Sequence, residues 1–121
     1  MYAAVTAVSA GYQHSLVLKQ DGSVWATGYN FCGQLGDGST VNRKVFVQVI
    51  ASRVQVVAAG AFYSMAIVQD GSIWATGSNV DGQFGDGLTT SETRFRRIAP
   101  FGHGSRHDHV RVYLSALLTF F

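Results

Sequence analysis

Short apolar runs punctuated by turn residues set the pattern of the chain. Ser15-Leu16-Val17-Leu18 and Ser64-Met65-Ala66-Ile67-Val68 each lead through an Asp-Gly pair into a second run, Ser23-Val24-Trp25-Ala26-Thr27 and Ser72-Ile73-Trp74-Ala75-Thr76. Runs this short, bounded by Gly and Asp and rich in β-branched and aromatic residues, predict strands. An Asp-Gly pair supplies two residues that tolerate positive φ, so Asp21-Gly22 and Asp70-Gly71 are expected as tips of two-residue hairpin turns. Val54-Gln55-Val56-Val57 alternates imperfectly and predicts a further strand, with Val5-Thr6-Ala7-Val8 as its counterpart. Residues 45–50 and 95–98 supply a fourth strand in each half. No segment sustains a 3.6-residue apolar period, so almost no helix is expected.

The two halves are copies of each other. Ala10-Gly11 to Gly38 and Ala59-Gly60 to Gly87 align with a constant offset of about 49 residues and no gap, and about 20 of roughly 43 positions between 8–50 and 57–99 are identical. Four antiparallel strands per repeat of this length is the arithmetic of β-propeller blades. The expected fold class is therefore all-β: two four-stranded antiparallel blades of an incomplete propeller ring, followed by an irregular tail. The expected units are residues 1–50, the first repeat; 51–99, the second; and 100–121, an insertion with a degenerate or foreign tail. Trp25 and Trp74, on equivalent strands, are expected to fill the gap between neighbouring sheets. Two blades do not close a ring, since propellers typically use roughly four to eight. The chain is accordingly expected to be a piece of a longer propeller, with assembly of several copies as the alternative. A third repeat is due near residue 106, but only Arg111-Val112 echoes Arg53-Val54, and Leu117-Leu118-Thr119-Phe120-Phe121 lacks the expected glycine.

Composition narrows the function classes. Charged residues are only 13 % of the 121 and glycines number 14, a profile of strand and tight turn rather than of a disordered chain. A net charge of +2 is too small to argue for nucleic acid. The single cysteine, Cys32, cannot form an internal disulfide, so the fold does not depend on an oxidising compartment. No apolar run has the roughly 18 residues of a membrane helix, and Met1-Tyr2-Ala3-Ala4-Val5 lacks the basic-then-apolar start of a signal peptide. An intracellular setting, cytoplasmic or nuclear, is the expectation.

The motifs resemble the regulator-of-chromosome-condensation repeat family. That repeat appears here as Gly11-Tyr12-Gln13-His14-Ser15, Asp21-Gly22, Trp25, Gly28, Asn30 and Gly33-Gln34-Leu35-Gly36; in the second copy Tyr63 stands for the histidine and Phe84 for the leucine. The resemblance covers about 95 of the 121 residues and implies blades of the seven-bladed type. The family's founding member binds nucleosomes and acts as an exchange factor on a small nuclear GTPase. The family also includes a plant UV-B photoreceptor, but Tyr12 and Ala61 stand where its light-sensing tryptophans lie, so photoreception is not implied.

Candidate chemistry is thin. Cys32 has no neighbouring histidine and aligns with Asp81, which reads as a loop position rather than a nucleophile. His14 reads as a hydrogen bond pinning one strand to the next turn rather than as an acid or base. Residues 79–87, Asn79-Val80-Asp81-Gly82-Gln83-Phe84-Gly85-Asp86-Gly87, faintly resemble a calcium loop. The first repeat keeps the same glycines around Phe31-Cys32, so the loop shape does not depend on the Asp81 carboxylate. His103, His107 and His109 beside Asp108 have spacings that could serve zinc, but in a Gly-Ser-Arg setting without further ligands. Arg94, Arg96, Arg97, Arg106 and Arg111 cluster; this reads as a solvated strand edge before it reads as a binding patch for acidic protein or phosphate. No phosphate-cradling Gly-Lys-Ser/Thr loop is present.

The expected function is a protein-interaction scaffold and not an enzyme, with no catalytic, cofactor-binding or metal-binding residue and no cofactor. Its partner would be a protein, a small GTPase or chromatin protein among the candidates, with no small-molecule substrate, no membrane and no direct nucleic-acid contact. A guanine-nucleotide exchange factor and the repeat arm of a large ubiquitin ligase are the alternatives.

Overall fold

Eight strands form two separate sheets in the computed structural model, which describes residues 3–99. Blade 1 contains β1 (Val5–Ala10), β2 (His14–Lys19), β3 (Val24–Gly28) and β4 (Arg43–Ile50). Blade 2 contains β5 (Val54–Ala59), β6 (Tyr63–Val68), β7 (Ile73–Gly77) and β8 (Glu92–Ala99). Within each blade the strands pair in chain order, all antiparallel. There is no helix among the described residues. The expected fourth strands are present but begin earlier, at Arg43 and Glu92. The decaying third repeat, His103, Arg106, His107, Asp108, His109 and Arg111 lie outside the described residues.

The β2–β3 and β6–β7 hairpins fall where the Asp-Gly pairs place them, with a different turn. Only the glycine of each pair has positive φ, +82° at Gly22 and +87° at Gly71. The Gly22 N–H donates to the Lys19 carbonyl and the Lys19 N–H to the Ser23 carbonyl, so a tight turn over 19–22 ends in a left-handed glycine bulge. Asp21 contributes acceptance instead: its Oδ1 takes the N–H of Ser23, at 2.9 Å, and its hydroxyl. The Ser23 hydroxyl oxygen in turn accepts the Trp25 indole N–H at 3.0 Å. Asp70, Ser72 and Trp74 repeat the arrangement. The Asp-Gly-Ser-x-Trp string is thus a chain of local hydrogen bonds, which explains why the whole string recurs.

The larger core lies between the blades as much as within one. Leu16, Leu18, Val24, Ala26 and Leu35 of blade 1 pack with Val54, Val57, Ala59 and Ala66 of blade 2, and Phe95 covers them. A second cluster, built on Met65, Ile67, Ile73, Ala75 and Phe84, fills blade 2. The tryptophans do not fill the gap between sheets. Both rings are half-buried. Trp74 lines one wall of an open cleft between the blades, and Trp25 lies under the Lys19 ammonium, 4.2 Å from its ring centroid. Among the described residues the aromatic that is fully enclosed is Phe84. Phe84→Ala is therefore expected to cost about 3–5 kcal/mol, and Trp25→Ala less than about 2 kcal/mol, the loss from a partly exposed ring. Urea unfolding of the two variants measures both, and equal losses would contradict this core assignment.

Candidate functional site

The residues that recur in the two repeats converge on two places: the β3–β4 loop of each blade and the seam between blades. Asn30 organises the loop of blade 1. Its Oδ1 accepts the Leu35 N–H, and its Nδ2 donates to the carbonyls of Ser39 and Val41 and to Asp37 Oδ1, all within 3.1 Å. Asn79 does the same in blade 2 through the Phe84 N–H and the carbonyls of Leu88 and Thr90. A carboxamide can accept and donate from one planar group, so it satisfies backbone on both sides of a 14-residue excursion between strands. An ion pair closes each loop, Asp37 with Arg43 and Asp86 with Arg96, both at 2.8 Å. Burial pushes the Asp37 carboxyl up, but Arg43, Ser39 and Asn30 outweigh it and hold it below the usual carboxylate range.

These contacts involve several of the residues singled out from the sequence. In residues 79–87 the Asn79 carboxamide and the Asp86 carboxylate are already engaged by protein groups. Among the described residues no three His, Cys, Asp or Glu side chains gather as metal ligands. Cys32 is a half-exposed thiol on the loop. The arginine cluster is divided: Arg96 is held by Asp86 and Glu92, Arg94 lies over Gly38, and Arg97 is exposed.

The seam is polar at its centre. His14, 3 % exposed, places Nε2 2.9 Å from the Ser64 hydroxyl of the neighbouring blade. Ser64 Oγ donates its single proton to the Gln34 carbonyl at 2.7 Å, so His14 Nε2 carries the proton and donates to Ser64. The expected contact from His14 to the next turn is thus a contact to the next blade. His14 Nδ1 is left without a partner, as is the Gln34 Nε2. Burial pushes the His14 imidazole down to about 4, with the Tyr63 backbone opposing. A serine beside a histidine has the composition of a nucleophile and its base, but Ser64 is fully buried, its proton points at a carbonyl, and no carboxylate orients the ring. The pair is a latch between blades. Sequence reasoning missed Ser64, although it recurs as Ser15 and Ser64 at equivalent positions.

Around this latch the glycine loop of blade 1 lies against β8. The Gly38 N–H donates to the Thr93 carbonyl, Thr76 Oγ1 donates to the Gly33 carbonyl, and Asp37 and Arg94 form a β-bridge. A Cβ on Gly33 would lie 2.7 Å from the Glu92 carbonyl oxygen and 2.8 Å from Thr93 Cα. Above it a cleft of about 350 Å³ opens between Val49, Ile50 and Ala51 on one side and Trp74, Arg94 and Phe95 on the other.

Both repeats match the model of the family described as "Regulator of chromosome condensation (RCC1) repeat", at residues 5–34 and 54–83, and a second model of the same description matches 21–67. Solved propeller structures match as well. Human WBSCR16 aligns at 23 % identity and a TM-score of 0.75, over 84 % of this chain and 27 % of that one. Yeast RCC1 (Prp20), solved bound to Kap60, aligns at 21 % and 0.73, over 83 % and 26 %. Prp20p from Saccharomyces cerevisiae, reported with its binding properties to Gsp1p and histones, aligns at 22 % and 0.65, over 81 % and 26 %. The chain spans about a quarter of the length of these structures.

Two measurements test the seam. The unfolded imidazole titrates near 6.5 and the folded one at about 4, so the unfolded chain binds the extra proton between those values. The contribution of His14 to stability is therefore full above about 6.5, falls as pH drops toward 4, and is level below, a loss of roughly 3 kcal/mol. Urea melts across that range check it; a His14→Phe variant showing the same pH slope would contradict the assignment. Gly33→Ala and Gly82→Ala place a methyl at matching positions with φ of +82° and +71°. Gly82 has nothing near it among the described residues, so it loses only the left-handed backbone term, about 1–2 kcal/mol. Gly33→Ala is expected to lose roughly 1–3 kcal/mol more through overpacking. Equal losses in thermal melts would remove the close approach from the account.

Proposed function

Because the chain belongs to the regulator-of-chromosome-condensation repeat family, we propose that it is a protein-interaction scaffold whose binding face is the end of the blades bearing the β1–β2, β5–β6 and β3–β4 loops. The observation that carries this reading is a set of exposed aromatics held on rigid loops there. Tyr12 is 67 % exposed and packs edge-on against Phe62 of the next blade, ring centroids 5.5 Å apart. Phe31, 71 % exposed, stacks on Tyr29. The Tyr29 N–H donates to the Gln13 carbonyl, and the Ser78 N–H to that of Phe62, so the loops at this end are tied to one another. Aromatic side chains with few rotamers, presented on a fixed backbone, are favoured anchors for protein partners. Binding to Gsp1p and to histones was examined for Prp20p, which makes a small nuclear GTPase and core histones the first partners to try. A role as the repeat arm of a ubiquitin ligase would use the same face.

Exchange catalysis by this chain alone is not part of the proposal. Holding a nucleotide-free GTPase takes an interface of roughly 1,200 Å² or more, and two blades present only part of a propeller face. Purified core histones and a small nuclear GTPase, each passed over the immobilised chain, provide the test. Measurable binding to one of them is expected, weakened at least about tenfold, or about 1.4 kcal/mol, by Tyr12→Ser combined with Phe31→Ser, with the chain still folded and its stability lowered only by the two lost ring pairs, about 0.5–1.5 kcal/mol each. Binding that ignores both substitutions, or acceleration of guanine-nucleotide release by the chain, would overturn the reading.

A further inference from the structure

The cleft between the blades joins an apolar interior to a single cation. Val49 and Ile50 at the end of β4 form one side, and Phe95 and the half-buried Trp74 ring form the other. Its volume of about 350 Å³ lies at the small end of the roughly 300–1,000 Å³ typical of ligand sites. Arg94 lines the same cleft and is exposed. Its guanidinium packs over Gly38 and, among the described residues, has no ion pair, unlike those of Arg43 and Arg96. Both sides belong to the two blades that meet at the seam, so the seam itself forms the cleft.

The two repeats differ at the residues that decide what this cleft can hold. Trp25 and Trp74 are equivalent, but the Lys19 ammonium lies 4.2 Å from the Trp25 ring centroid. Val68 stands where Lys19 would be in blade 2, and among the described residues no cation lies over Trp74. Val45 in turn stands where blade 2 has Arg94. The second repeat therefore has no cation on the ring and carries one at the cleft instead. An uncovered indole face suits an aromatic or apolar group. An unpaired guanidinium suits a carboxylate, which it can hold through two parallel hydrogen bonds. We propose that the cleft binds a segment of a partner protein in which a large apolar side chain is flanked by acidic residues. The apolar side chain enters between Ile50 and Trp74, and a neighbouring carboxylate pairs with Arg94. This site is separate from the exposed aromatics of the loop end, since Tyr12, Phe31 and Phe62 do not line it.

The test uses the whole chain carrying Trp25→Phe, so that tryptophan fluorescence reports Trp74. The probes are two short peptides, acetylated and amidated at their ends. One has a central phenylalanine flanked by aspartates, and the other has asparagines in place of the aspartates. Each is titrated to millimolar concentration. A saturable change in Trp74 emission is expected with the acidic peptide, at an affinity at least about tenfold above that of the asparagine peptide. Arg94→Gln, a change at an exposed position, is expected to abolish that preference, so that the two peptides bind alike. Tyr12→Ser combined with Phe31→Ser is expected to leave the titration as it was, which separates this site from the loop end. Four results would overturn the proposal: no saturable change in Trp74 emission, equal affinity for the two peptides in the Trp25→Phe chain, a preference for the acidic peptide that survives Arg94→Gln, or binding lost with the loop-end aromatics.

Discussion

The glycine loop of blade 1 lies so close to β8 that no side chain fits between them. Gly33 faces the Glu92 carbonyl and Thr93 Cα, and Gly36 faces the Phe95 ring. A backbone that approaches this nearly must bend through left-handed conformations and carry no Cβ. The rest of the seam depends on that approach. It brings the carbonyls of Gly33 and Gln34 within reach of the Thr76 and Ser64 hydroxyls, and it lets Phe95 cover the apolar cluster shared by both blades. The bonds to the Gly22, Gly33 and Gln34 carbonyls therefore bind a neighbour to backbone, whereas His14–Ser64 and Ser9–Ala59 use side chains that differ between the two repeats.

The same economy of contacts sets what the surface can do. Asn30 and Asn79 tie down loops that would otherwise be long and structureless, and the ordering entropy of those loops is met on folding rather than on binding. Phe31 sits on such a loop, one residue after Asn30. Tyr12 and Phe62 brace each other across the seam. A partner meeting these rings meets them already positioned, and the position depends on the blades staying together.

The repeat made most of the fold legible. A constant offset and the Asp-Gly pairs located both hairpins and the four antiparallel strands of each sheet. Four features were not legible. The turn uses one left-handed residue instead of two because Asp21 and Asp70 gain more by accepting from the following serine than by adopting positive φ. The tryptophans are large enough to suggest burial, yet Lys19 and the inter-blade cleft leave them half-exposed, and Phe84 is enclosed instead. The His14–Ser64 latch joins residues 50 positions apart, and spacing along the chain could not show which strand of the next repeat His14 would meet. Arg53, the one non-glycine residue with positive φ among those described, lies in the link between blades and carries no signature that would have marked it.

Loops that share their glycines but stand in different surroundings offer the most direct test that the seam, and not the loop sequence, creates the close approach. The Gly38 N–H donates across the seam to Thr93, whereas the Gly87 N–H, its counterpart, has no such acceptor among the described residues and lies exposed. Residue-resolved amide hydrogen exchange on the dilute chain, under conditions where it is monomeric, compares the two directly. The account predicts strong protection at Gly38 and exchange near the unprotected rate at Gly87. Equal protection at the two glycines would contradict it.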